Sequence, residues 1–476
     1  MVSSHKYTML INGQQIQGAA TLEVLNPATE EIIAHAPDAS REQLDAAVAA
    51  ANTAFLQWSR RPIAERQALV KEIARCIEDN KDELSRIFIA EMGRSRDGAE
   101  WEMVTAANWC RGTAQYDLPV TVIEDNDEHR VEVRHTPIGV VGAITPWNAP
   151  ILIAIWKLAP ALLAGNTVVL KPSPYTPLTT LRLGELLRDI LPAGVLNIVS
   201  GGNELGQWIT EHPDITKVSF TGSTATGRRV MESASRTLKR ITLELGGNDA
   251  AIVLPDVDPK VVAPALFWGA FFNSAQVCVA TKRLYIHEDI YDAVAQELVK
   301  YARTITIGDG SQEGVDLGPV QNKMQFEKVK NLLDSTREQG HRFLLGGEAP
   351  EGKGYFIPVS IVDNPPQDSR VVIEEAFGPV LPLLKYKDID EVIAWANDSD
   401  TGLAGSVWSN DLEQAHEVAG RLQTGTVWIN EMFAFSPHAP FSGHKQSGLG
   451  AEHGMEGLLE FTNTQTITTR KVPMTA

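Results

Sequence analysis

The sequence predicts an α/β fold built on parallel sheet, and three observations carry that expectation. From residue 139 short apolar strand patterns alternate with helical ones, a second alternating region runs from about 250 to 430, and a polar hairpin pattern at 117–136 stands apart from both. Short apolar strands joined by helical crossovers pair in parallel, with both sheet faces covered. At 476 residues the chain has room for two or three domains, each with its own core.

Taken in order, Met9-Leu10-Ile11 is a strand that turns at Asn12-Gly13 into a hairpin. Ser40 and Gln43 make a capping box for a helix whose apolar face is Leu44, Ala47, Val48, Ala51 and Phe55. Helical pattern resumes from Pro62 to about Trp109, with Glu65, Lys71, Glu72 and Arg75 on a solvated face. Then Val120 and Val122, the turn Asp125-Asn126-Asp127, and Val131 and Val133 alternating with Glu132 and Arg134 predict two strands around a polar turn. A hairpin with polar residues on both faces makes a poor core element and is expected to project toward another subunit. Strands follow at 139–144, 167–170, 196–199, 217–220 and 240–244, separated by helices near 150–164, 177–190, 203–211 and 225–235. The second region offers strands near 282–287, 342–345, 380–385, 403–408 and 425–429, with an exposed linker at 346–354. The polar, β-prone tail 464–469 is a further candidate for an intersubunit strand.

Composition excludes several classes. A formal charge of −18 leaves no basic excess to release counterions from a phosphate backbone, so nucleic acid is not an expected partner. The three cysteines, Cys76, Cys110 and Cys278, form no CxxC and no even framework, which fits a reducing compartment and leaves no cysteine-based metal site. Residues 1–17 lack a basic segment followed by an apolar core, and the apolar run 151–165 holds Lys157 and Pro160 and is too short to span a bilayer. A soluble cytoplasmic protein with no membrane partner is the expectation.

Ligands of open parallel sheets bind outside the carboxyl ends of the strands. The segments placed there are Thr145-Pro146-Trp147-Asn148, Lys171-Pro172-Ser173, Ser200-Gly201-Gly202, Thr221-Gly222-Ser223 and Leu245-Gly246-Gly247. Glycine, hydroxyl, amide and lysine groups on one rim suit a phosphate-bearing ligand. No GxGxxG follows the first strand, and the Gly222 to Gly227 spacing lacks the Lys-Ser/Thr pair of a P-loop, which removes the ATPase reading. In the second region Gln276-Val277-Cys278-Val279 sets one thiol among apolar and small polar residues. A free thiol is mostly protonated at neutral pH, so Cys278 is either an inert core residue or a nucleophile that something nearby activates. Glu244, between leucines and ahead of two glycines, is the candidate activator, and by itself reads equally as a paired or exposed carboxylate.

Seven motifs in one order decide between these readings. They are Thr145-Pro146-Trp147-Asn148, Lys171-Pro172-Ser173, Phe220-Thr221-Gly222-Ser223, Glu244-Leu245-Gly246-Gly247, Gln276-Val277-Cys278, Glu374-Glu375-Ala376-Phe377-Gly378-Pro379 and Pro440-Phe441-Ser442-Gly443. With them the chain resembles, nearly end to end, the NAD(P)-dependent aldehyde dehydrogenase superfamily. The resemblance implies a Rossmann-like cofactor domain (1–116 and 138–246), an α/β catalytic domain (247–446) and a β-arm for oligomerisation (117–137 and 462–474) in a homodimer or homotetramer. It implies that Cys278 attacks an aldehyde, that Asn148 and the Cys278 N–H hold the oxyanion, and that hydride transfer leaves a thioester. Glu244 matches the base that activates water for its hydrolysis, which argues against the CoA-acylating branch. Lys157 and Glu452 match a proton-relay pair.

Among cofactor contacts, Lys171 matches a ribose contact on the adenosine side, Ser223 a pyrophosphate contact, Glu375 the nicotinamide ribose contact and Phe377 a neighbour of the nicotinamide. Thr145, Pro146, Trp147, Ser173, Gly202, Gly222 and Leu245 complete the expected set. Pro174 stands where many NAD-preferring members carry Glu, so NAD is expected with NADP not electrostatically excluded. Positions matching the substrate tunnel are Ala149, Ile153, Trp156, Phe272, Val277, Val279, Phe433 and Phe435. Their apolar character predicts an uncharged aliphatic or aromatic aldehyde, and Ala149, at a place that is often aromatic, predicts a wide tunnel. A semialdehyde dehydrogenase of the same superfamily, a cofactor-independent thiol esterase and a non-catalytic relative are the alternatives.

Overall fold

Strands rich in Val, Ile and Leu and buried on both faces drive the assembly of two parallel sheets. We describe residues 5–472 and 474 of a computed structural model. Residues 1–4 of the expected cofactor domain and signal-free N-terminus, and position 473 of the expected arm, lie outside them.

The first sheet has eight strands in the order Gln14–Ile16, Met9–Ile11, Leu196–Ile198, Thr167–Lys171, Val140–Ile144, Lys217–Thr221, Arg240–Glu244 and Gly448–Leu449. The five from Leu196–Ile198 to Arg240–Glu244 are parallel, and the strands at both edges are antiparallel. The chain leaves Val140–Ile144 toward one edge and returns on its other side at Lys217–Thr221, so the sheet switches direction between these two strands. Such a switch opens a crevice beyond the carboxyl ends. The helix Pro150–Leu163, with every residue buried, packs under that crevice.

The second sheet has seven strands in the order Phe343–Leu345, Ser360–Asp363, Val380–Tyr386, Arg283–His287, Ala250–Val253, Ala404–Trp408 and Thr426–Ile429. All its pairings are parallel except that of Phe343–Leu345. Separate apolar clusters cover its two faces, one around Val329, Leu333 and Val380, the other around Phe267, Phe271 and Leu381.

The predicted hairpin forms from Thr121–Asp125 and His129–Pro137. The tail strand Thr462–Arg470 pairs antiparallel along the second of these, so the two expected arm segments join in one three-stranded sheet with the tail strand at an edge. Nine registered residue pairs join the tail to the hairpin. The capping box at Ser40 is present, but Trp58 is buried on that helix where Phe55 is only half-buried. The long helical stretch is three helices, Ile63–Asp79, Lys81–Met92 and Arg96–Thr113, the second ended by Gly93 at φ 82°. Among the described residues no helix is long and apolar enough to cross a membrane.

Candidate active site

The nucleophile candidate sits on an unusual turn. Helix Pro259–Phe271 ends and Phe272–Ala275 forms a single tight turn in which Asn273, Ser274 and Ala275 all have φ between 53° and 60°. Non-glycine residues in this left-handed region are strained, and the strain persists only where surroundings over-determine it. Gln276 supplies that constraint: its amide donates to Asn273 O at 2.9 Å and its Oε1 accepts from the Gln321 N–H at 2.8 Å. Ser274 Oγ donates to Gly318 O at 2.7 Å. Cys278 emerges half-buried from this anchored loop and lines a cavity of about 880 Å³.

Beyond the first sheet's carboxyl ends, Thr145, Pro146, Trp147, Lys171, Ser173, Gly222, Ser223 and Leu245 line the same cavity, as do Asn148, Glu375 and Phe377. Asn148 does not cap the following helix, whose first residue follows Ala149 with no side-chain cap. Its amide instead donates to Gln276 O at 2.8 Å, tying the crevice to the cysteine loop and leaving a second N–H. Trp147 and Phe377 meet edge to face at 5.4 Å. Gly202 is the exception: it precedes helix Asn203–Glu211 outside the cavity lining, where an added Cβ would meet nothing within 4 Å.

The cavity fits a dinucleotide on three observations. Lys171 is buried and, among the described residues, its Nζ donates only to Pro172 O at 3.2 Å, with burial lowering its pKa to about 8 and the Asp38 charge opposing the shift. Ser223 caps the 12-residue helix Thr224–Ser235, and the N-terminus of a helix suits an anion such as a phosphate. A Cβ at Gly246 would lie 2.4 Å from Glu375 Oε2 and displace that carboxylate, so Glu375 rests directly on the glycine turn. Pro174 lines the cavity beside Lys171.

Glu244 ends the strand Arg240–Glu244, buried, and neither carboxylate oxygen has a hydrogen-bond partner among the described residues. Burial holds its pKa well above the usual carboxylate range, the Glu452 charge adds to this, and Lys157 opposes it. Lys157 and Glu452 form a fully buried ion pair at 2.6 Å, with Lys157 also donating to Ser219 Oγ at 3.1 Å. Breaking such a pair leaves one buried charge uncompensated, at a typical cost of about 3–5 kcal/mol. Protein packed around the Cys278 thiol pushes its pKa up to about 12, with Lys282 opposing and Asp249, Glu244 and Glu375 reinforcing the rise.

Of the tunnel positions, Ile153 lines the cavity with Cys278. Phe272 and Phe433 rings stand 5.5 Å apart, Phe433 and Phe435 6.5 Å, and Phe435 and Trp156 5.9 Å, a continuous aromatic wall. Val277 and Ala149 are half-buried beside it. Val279 is a core residue instead: it is fully buried with Leu403, Ala404, Trp428 and Phe441, in a cluster against which Val277, Cys278, Phe433 and Phe435 pack.

Two features escaped the sequence reading. Arg94 lies over the Phe272 ring at 4.7 Å, and its charge is consumed by buried Glu102 at 2.8 Å, which also accepts from the Ile151 and Leu152 N–H groups at the start of the helix under the crevice. Ser447 donates to Gly246 O at 2.7 Å and its Oγ accepts from the Gly402 N–H, clamping the glycine turn. Neither carries a motif, although the Ser-Gly pairs around 442–448 mark a tight approach.

Comparison with known proteins agrees with this arrangement. The aldehyde dehydrogenase family pattern matches residues 15–467. A phenylacetaldehyde dehydrogenase of Pseudomonas fluorescens is 40% identical over 478 residues, covering 97% of this chain and 95% of its own. An aldehyde dehydrogenase of Bacillus cereus, solved as its NAD+ complex, superposes with a TM-score of 0.96 at 36% identity, covering 98% of this chain and 97% of that one. A betaine aldehyde dehydrogenase of Staphylococcus aureus in complex with NAD+ gives a TM-score of 0.94 at 32% identity, covering 98% and 95%. The sheet switch, the cysteine loop and the match across nearly the whole length lead to one conclusion: the chain belongs to the aldehyde dehydrogenase family and is an NAD(P)-dependent oxidoreductase acting on aldehydes.

Proposed function

We propose that this enzyme oxidises an uncharged aliphatic or aromatic aldehyde to its carboxylic acid through a covalent bond to Cys278. The observation that carries this reading is that Cys278, Asn148 and the sheet-rim residues line a single cavity, with Glu244 buried close enough for its charge to act on the thiol. The Cys278 thiolate adds to the carbonyl carbon, and the free Asn148 N–H and the Cys278 backbone N–H hold the resulting oxyanion. A donor in that position typically contributes about 3 kcal/mol to the transition state. A bound NAD(P)+ would supply the hydride acceptor that lets the Cys278 adduct become a thioester. Lys171, Ser223 and Glu375 would hold the dinucleotide, and Phe377 against Trp147 would wall its nicotinamide end. Glu244, its pKa raised by burial, then takes a proton from water attacking the thioester. The buried Lys157–Glu452 pair, whose Glu452 charge bears on Glu244, is the candidate relay for that proton.

The aromatic wall and the neutralised Arg94 support an uncharged substrate, and the phenylacetaldehyde-oxidising relative supports an aromatic one. NAD is the preferred cofactor in this reading, with NADP admitted at Pro174. Reduced-nicotinamide absorbance with hexanal, benzaldehyde and succinic semialdehyde, each run with NAD and NADP, tests these points together. Higher kcat/KM for the first two aldehydes, with NAD ahead of NADP, is expected. Strong turnover of succinic semialdehyde beside poor turnover of the others contradicts the substrate class, and a preference for NADP contradicts the cofactor assignment.

The three-stranded sheet is proposed as the arm of a homodimer or homotetramer. Thr121–Asp125 forms one of its two edges, the other being Thr462–Arg470; every residue of the former is exposed, and Val120, Val122 and Ile123 add apolar surface there. An exposed edge with apolar side chains is a template for pairing. Light scattering of the full chain is expected to give two or four subunits, and a monomer at micromolar concentration overturns the assignment.

A further inference from the structure

Four residues beyond the nucleophile, Lys282 is buried at 5% exposure in the loop that leads into strand Arg283–His287. Its Nζ donates to Val277 O at 3.1 Å and to Cys278 O, so a single ammonium grips the carbonyls on either side of the Cys278 peptide nitrogen. The same ammonium lies 3.6 Å from Glu375 Oε1. Its own backbone N–H donates to Asp249 O at 2.9 Å. Gly247 closes the cluster: a Cβ there would lie 3.1 Å from Cys278 O and 2.6 Å from Asp249 Oδ1. Glu375 accepts from the Gly247 N–H at 3.3 Å.

The charges around Cys278 are therefore unequal. Carboxylates Asp249, Glu244 and Glu375 face it from three elements and disfavour a thiolate, while Lys282 is the cation that opposes them. Arg283 is directed elsewhere, to Asn248 O and to the carbonyls of Trp395 and Ala396. Burying a lysine without an electrostatic purpose is costly, and hydrogen bonds to two carbonyls could be supplied by a neutral amide.

With Cys278 as the nucleophile, as proposed above, we infer that Lys282 is its positioning residue: the ammonium fixes the Val277 and Cys278 carbonyls and supplies the positive charge that stabilises the thiolate. It also bridges the cysteine loop to Glu375, so the nucleophile and the carboxylate assigned to the ribose share one cation.

The test is alkylation of cofactor-free protein by iodoacetamide across a pH series, read at the Cys278 peptide by mass spectrometry. No aldehyde or turnover enters the readout. A cation within a few ångströms favours thiolate by about one to three pKa units, each a tenfold change in thiolate fraction below the pKa. Lys282→Met and Lys282→Gln are both expected to alkylate at least about tenfold more slowly than wild type at every pH below the thiol pKa. Lys282→Arg, which keeps the charge, is expected to recover most of the rate. Wild-type alkylation by Lys282→Gln overturns the inference, because anchoring without charge would then suffice, and so does wild-type alkylation by Lys282→Met. Thermal unfolding checks each variant, and if the methionine variant does not fold, the glutamine and arginine pair decides the matter. Absence of aldehyde oxidation by wild type would remove the functional reading, whereas unaltered alkylation in the variants would remove the role of Lys282 alone.

Discussion

Replacing Cys278 with alanine is expected to lower the rate of reduced-nicotinamide formation with every aldehyde by on the order of 10⁵-fold or more, while leaving the protein folded. The size follows from covalency: without sulfur there is no adduct from which hydride can leave, and orientation alone recovers little. Stability should change little, because Cys278 is only half-buried and its loop is held by Gln276, Asn273 and Ser274 rather than by its own side chain. Steady-state absorbance and thermal unfolding of the same preparation measure both. Retained turnover would mean that Cys278 is the inert thiol its local sequence also allows.

Glu244→Gln is expected to separate the two halves of the reaction. Thioester formation survives, giving a burst of about one equivalent of reduced nicotinamide per subunit, and steady-state turnover falls about 10²- to 10⁴-fold, the usual worth of a general base. The amide keeps the shape of Glu244 and removes a carboxyl whose buried oxygens have no protein partner among the described residues, so the variant should fold. The sign of the pH effect follows from the raised pKa: the base must be ionised, so wild-type steady-state turnover rises as pH rises, and this limb disappears in Glu244→Gln. A variant that loses the burst as well would assign Glu244 to acylation.

Much of this site was legible because its chemistry restricts residue type. A thiol, an amide beside it and a carboxylate before two glycines are functional requirements, and they recur in order along the chain. Five parallel strands of the first sheet were legible as apolar runs between helices, since burial on both faces leaves little choice of residue. The hairpin Ala20–Asn26 with Glu31–Asp38 was not, because it lies mostly at the surface and its side chains follow no clean alternation. Ala250–Val253 and Ser360–Asp363, both in the second sheet, were not legible either. Gly202 and Val279 stand next in sequence to the lining residues Asn203 and Cys278, and only the folded chain separates them from the cavity surface. Lys282 was visible in the sequence as a residue but not as a partner, because a four-carbon stem can place its charge on either side of a loop.

The most direct test of the covalent account is to mix Glu244→Gln with an aromatic aldehyde and NAD+, quench, digest and map the adduct by mass spectrometry. The account predicts an acyl mass, two hydrogens below that of the added aldehyde plus thiol, on the peptide containing Cys278 and on neither Cys76 nor Cys110. Reduced nicotinamide formed with no acyl group on Cys278 would contradict it.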